Sequence, residues 1–131
     1  MLETYRPVLE KCAATPPNDI ELSGLAALLN SLYNGIENVF KRVCAELGDP
    51  LLEGESWHKE LLDGMAEATA HRDAVISVAL RGRLKEYLEF RHFFRDAYVF
   101  TLRWDRMKDL ALGCEQMLRQ LELELDRFLR P

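Results

Sequence analysis

Residues 19–47, DIELSGLAALLNSLYNGIENVFKRVCAEL, decide the fold class. Leu25, Leu28, Leu29, Leu32, Tyr33, Ile36, Val39, Phe40, Val43 and Leu47 recur at intervals of three and four. On a helix of 3.6 residues per turn they form one apolar stripe, and the strict alternation of a half-buried strand is missing. The ends are set by local chemistry. Pro16-Pro17 interrupts whatever precedes, Asn18 offers a side-chain oxygen as N-cap, and Glu21 three residues on completes a capping box. Gly48, which can adopt the left-handed conformation of a helix stop, precedes Asp49-Pro50, where a helix cannot continue.

Working outward, Met107, Leu110, Ala111, Cys114, Met117, Leu118, Leu121, Leu125, Phe128 and Leu129 keep the same spacing, which predicts a closing helix over about 104–130. Ser56 is placed to cap a shorter helix through Trp57, Leu61, Leu62 and Met65, and Ser77 or a near neighbour to open another running into residues 86–100. Glu3 to Ala13 reads as a short helix with Pro7 near its start. Only Ala74 to Val78 resembles a strand, and it is too isolated to build a sheet. The expectation is an all-α antiparallel four- to five-helix up-down bundle forming a single domain over residues 1–131, without internal repeats. Both long helices carry apolar stripes larger than so short a chain can cover, which predicts a homodimer.

At 48% hydrophobic and 30% charged residues the chain is too apolar for disorder. No apolar run approaches the length of a signal peptide or a membrane span, so a cytoplasmic protein that does not engage the membrane is expected. Cys12, Cys44 and Cys114 are odd in number and far apart, a pattern of buried thiols rather than of a disulfide framework or a zinc site. The formal net charge of −5 excludes coating of nucleic acid by the whole surface, yet residues 81–108 hold 8 Lys and Arg against 4 Asp and Glu. Local positive charge on an acidic body suits one discrete anionic group such as a phosphate, although a solvated helix face accounts for the same residues.

The chemistry concentrates in residues 86–100, EYLEFRHFFRDAYVF. At 100° per residue Arg91, Arg95 and Tyr98 fall in one narrow arc, with His92 and Asp96 on the adjoining ridge and Phe90, Phe93, Phe94 and Ala97 facing the core. Two guanidiniums one turn apart can hold a phosphate, and a phenol beside them adds a hydrogen bond. The plainer alternative is salt bridging of the arginines to Glu86 or Asp96, and a core Tyr98 with a wet hydroxyl. Glu55-x-x-His58 and Glu89-x-x-His92 match the spacing of a carboxylate-bridged di-metal site. The first copy straddles a helix start, and Arg91 and Arg95 oppose a divalent cation beside His92. No metal and no cofactor are therefore expected, and His58 and His71 read as surface or packing residues.

The run Tyr87 to Tyr98, with Leu102, Trp104 and Arg106 after it, resembles the signature region of HepT-like toxins of the HEPN superfamily. SLYNGIENVFKRV and GESWHKELLDGM resemble that family's second and third helices, so the similarity covers about residues 19–131. The resemblance implies an all-helical, dimeric, metal-independent ribonuclease whose site forms where two copies of an R-x4-6-H-x-Y motif meet, with tRNA as an associated substrate. It also implies a partner, a minimal nucleotidyltransferase antitoxin that silences the toxin by transferring AMP to the motif tyrosine. Arg91 matches the motif arginine and binds phosphate in this reading. Tyr98 matches the motif tyrosine and becomes the AMP acceptor, with Arg95 as an auxiliary phosphate contact.

The motif histidine is absent. Asp96 occupies its position, and the segment before Pro16 is shorter than the family's usual first helix. Cleavage of RNA by its own 2′-hydroxyl needs a base, and imidazole, with a free pKa of about 6.5, accepts and returns a proton near neutrality. A carboxylate with a free pKa of about 3.9 is a weak base and puts negative charge where a phosphate should sit. Impaired cleavage follows, and a non-catalytic helical module that binds a partner protein or nucleotide is the alternative.

Overall fold

In the computed structural model the described residues are 2–50, 52–54, 56–96 and 102–130, with Asp96 described by its backbone alone. Five helices make up the regular structure among them: α1 (Leu2–Cys12), α2 (Asp19–Leu47), α3 (Trp57–Met65), α4 (Val78–Asp96) and α5 (Trp104–Leu129). The chain is all-α. No strand occurs among the described residues; the nearest approach is one isolated bridge between Thr69 and Arg72. No described helix is long and apolar enough to cross a membrane.

α2 starts and stops where its local chemistry directs. Asn18 Oδ1 accepts from the Glu21 N–H at 2.8 Å, and Glu21 Oε1 accepts from the Asn18 N–H at 3.0 Å. Lys11 Nζ, at the end of α1, donates to the same Glu21 carboxylate at 3.0 Å, so one side chain joins two helices. These contacts, the Asn18 N–H foremost and Lys11 after it, hold the Glu21 carboxyl below its ordinary pKa. At the other end Gly48 takes φ 75°, a conformation that costs a residue with a Cβ, and the Asp49 N–H donates to the Cys44 carbonyl at 2.9 Å.

The core is a central α2 packed on the other four helices. Tyr33 and Phe40 of α2, Leu62 and Met65 of α3, Leu80 and Leu84 of α4, and Met107 and Met117 of α5 are fully buried. Tyr87 donates its hydroxyl proton to the Leu110 carbonyl at 2.7 Å and so fixes α4 against α5. The strand-like run after Ala74 has a different use. Val75 and Ile76 are buried and both donate their N–H groups to the Met65 carbonyl, closing the end of α3. Arg72 ties the same loop to the end of α2 through Asp49 Oδ2, at 3.0 Å from Nη2 and 3.1 Å from Nε.

α4 opens as expected on Ser77, whose hydroxyl accepts from the Leu80 N–H at 3.1 Å. The buried Glu124 of α5 accepts from both the backbone N–H and the hydroxyl of Ser77, which anchors the start of α4 to α5. Several expectations need correction. Pro7 lies inside α1 rather than near its start, because the helix already begins at Leu2. Ser56 caps no backbone amide; its hydroxyl donates to Glu60 instead. Val39 and Leu47 lie at the edge of the α2 stripe and stay exposed, and Cys44 is half-buried rather than buried like Cys12 and Cys114.

Candidate active site between α2, α3 and α4

α4 carries Arg91 toward α2 and α3, where it meets two residues that the motif does not contain. Glu37 is 3% exposed, placed on the core side of α2 by its spacing of four from Tyr33 and three from Phe40. Its Oε1 lies 3.4 Å from Arg91 Nη1 and its Oε2 lies 2.7 Å from His58 Nδ1. Arg91 Nη1 also stands 3.1 Å from His58 Nδ1. The side chains of His58 and Arg91 are each 11% exposed, so the three form a nearly dry cluster. A buried carboxylate and guanidinium require one another, because either alone would carry an uncompensated charge. The Nε of Arg91 is buried and has no hydrogen-bond partner among the described residues.

The surroundings fix the imidazole plane. The Trp57 ring lies against His58 with centroids 3.6 Å apart and a tilt of 31°, and the Lys41 ammonium sits 4.3 Å from the centre of the Trp57 ring. His92, one residue past Arg91 and exposed, approaches His58 edge-on at 5.8 Å. Beneath the cluster Tyr33 is buried, and burial, reinforced by the Glu37 carboxylate, pushes its phenol well above the ordinary value. Its hydroxyl has no hydrogen-bond partner among the described residues. Tyr33→Phe removes that unpaired group and is expected to leave stability unchanged or raise it by up to about 1 kcal/mol in urea unfolding. A loss above that would mean the hydroxyl has a partner.

The motif residues separate. Arg91 is held inside the cluster by Glu37 rather than in a surface bridge to Glu86. Arg95, one turn on, is exposed. Asp96 contributes the last described backbone of α4, while Tyr98 and Ala97 lie outside the described residues. Phe90 is buried as expected, but Phe93 is 45% exposed and does not anchor the helix. It borders a groove of about 630 Å³ between α4 and α5, with Phe90, Met107 and Leu110 among the lining residues together with Arg103 and Arg106. The basic segment is thus not one patch. Arg91 points to α2, Arg81 pairs with Asp63 at 3.4 Å, and Arg103 and Arg106 line the opposite groove.

Among the described residues no three His, Cys, Asp or Glu side chains gather in a metal-holding arrangement. Glu89 lines the α4–α5 groove, away from His58, and Glu55 lies outside the described residues. His71 is exposed, as read from the sequence. His58 is neither a surface nor a plain packing residue, and this reading of it is corrected by its contacts with Glu37 and Arg91. The available signal was Glu37 itself, an acid within the arc defined by Tyr33 and Phe40.

A five-helix all-α bundle with a buried carboxylate, imidazole and guanidinium gathered from α2, α3 and α4 defines the class: a helical protein with a polar site set into its core edge. Residues 24–131 match the family described as HepT-like protein, and the chain belongs to that family. The match spans Glu37, His58 and Arg91 alike. The curated proteins and the solved structures gave no match.

Proposed function

We propose that this chain is the toxin component of a toxin–antitoxin pair and that, as a homodimer, it cleaves RNA, with tRNA as the leading substrate, without a metal ion. Arg91 contacts the phosphate and stabilises the charge that develops on it in the transition state, Arg95 adds a second phosphate contact from the exposed side, and Asp96 stands in the base position and impairs the reaction. Tyr98 is the group to which a minimal nucleotidyltransferase antitoxin transfers AMP. The setting is the cytoplasm. Family membership over residues 24–131 supports this reading, and the observation that carries it furthest is the placement of Arg91. A guanidinium that only decorated a solvated helix would not be held at 11% side-chain exposure against a carboxylate at 5%. Preorganised cations of this kind are what phosphoryl chemistry requires.

The test uses the antitoxin reaction, which does not depend on the impaired base. Incubated with a cognate nucleotidyltransferase, ATP and Mg²⁺, the chain, sedimenting as a dimer of twice 15.2 kDa, should gain one or more AMP units, and Tyr98→Phe should abolish the mass shift. Labelling that survives in Tyr98→Phe would place the acceptor elsewhere. A clean monomer that takes no label would favour the binding module.

A further inference from the structure

His58 Nδ1 faces a carboxylate oxygen at 2.7 Å and a guanidinium nitrogen at 3.1 Å. It cannot satisfy both with one protonation state. A guanidinium only donates and an ionised carboxylate only accepts, so a proton on Nδ1 serves Glu37 and a lone pair there serves Arg91. The shorter contact assigns the proton to Nδ1, donated to Glu37 Oε2, while Arg91 reaches the second oxygen of the same carboxylate at 3.4 Å. In a neutral imidazole so held, Nε2 carries the lone pair. A histidine whose tautomer and ring plane are fixed by a buried carboxylate and a tilted indole lying against it is built like a general base beside the phosphate-binding arginine.

We propose that Nε2 of His58 is the base for RNA cleavage in this chain, in place of the motif position that holds Asp96, with Glu37 as its positioning residue. The proposal rests on the ribonuclease reading above. The 2′-hydroxyl gives its proton to Nε2 as the 2′-oxygen bonds to phosphorus. The bond from phosphorus to the 5′-oxygen breaks, its electron pair leaves on that oxygen, and water protonates it. The hydroxide so formed takes the proton back from the imidazolium, leaving a 2′,3′-cyclic phosphate and a free 5′-hydroxyl. The charged and titratable groups that face His58 are Glu37 from α2 and Arg91 and His92 from α4, with Lys41 across the Trp57 ring.

The experiment measures cleavage of total tRNA in EDTA by the full chain, by His58→Gln, by His92→Gln and by Asp96→His, each checked for folding and dimerisation. The expected result is slow cleavage by the unaltered chain, at least about a hundredfold slower in His58→Gln and little changed in His92→Gln. The rate of the unaltered chain should rise with pH, since a base must be free of its proton to accept one, and that rise should be lost in His58→Gln. A profile flat from about pH 5 upward, as a carboxylate base would give, overturns the proposal without any variant. So does retained activity in His58→Gln, or a loss confined to His92→Gln. Cleavage by Asp96→His with none by the unaltered chain overturns the role of His58 and leaves the ribonuclease reading standing. Cleavage by neither removes both.

Discussion

Asp96→His is expected to raise RNA cleavage by up to about 10²- to 10⁴-fold, the usual worth of a positioned general base, and by less to the extent that His58 already serves as one. The change falls at the last described residue of α4, on a helix that already carries an exposed His92, so folding should be little affected. Only the proton chemistry differs. An imidazole replaces a carboxylate whose low basicity and negative charge both oppose reaction at a phosphate. The raised activity should resist EDTA and leave 2′,3′-cyclic phosphate ends, and Arg91→Ala introduced on top should extinguish it. In cells Asp96→His should arrest growth unless an antitoxin is co-expressed, whereas the unaltered chain should be tolerated. A folded, dimeric Asp96→His protein that neither cleaves tRNA or total RNA nor slows growth would hand the site to the binding module.

Glu37→Ala should be the most damaging single substitution for stability in the cluster, costing about 3–5 kcal/mol in urea unfolding. Glu37 is 3% exposed and serves both His58 and Arg91, so its loss leaves a guanidinium buried without a counter-charge, with an Nε that already has no partner among the described residues. Removing both charges should do less harm than removing one. Glu37→Leu combined with Arg91→Met should recover much of the loss, because apolar side chains of similar size pack where the ion pair stood. That double variant should stay folded and be inactive, separating the cluster's structural role from its chemical one. A cost below about 1 kcal/mol for Glu37→Ala would mean that water reaches the pair and screens it.

The all-α architecture was legible in the sequence because helix periodicity and helix caps are local. The stripe from Leu25 to Phe40 and the Asn18–Glu21 capping box need only a few neighbouring residues to declare themselves, and α2 runs between the limits they set. Arg91 could be picked out the same way, since a motif is also a local pattern. The partners of Arg91 could not. Glu37, His58 and Arg91 are separated by 21 and 33 residues, measured from His58. Their meeting depends on how α2, α3 and α4 pack, through Leu62, Met65 and Leu84 among others. His58 shows the difference most clearly. In the sequence it is one histidine near a helix start, with nothing to separate a surface residue from a ligand. In the fold, burial removes the water that would otherwise solvate Nδ1, and among the described residues the Glu37 carboxylate is left to take its proton, with Arg91 beside the pair. Sequence thus determined which segments are helical and which arginine to watch, while tertiary packing alone decided which carboxylate and which imidazole stand beside it, because desolvation is a property of the packed core and not of any one helix.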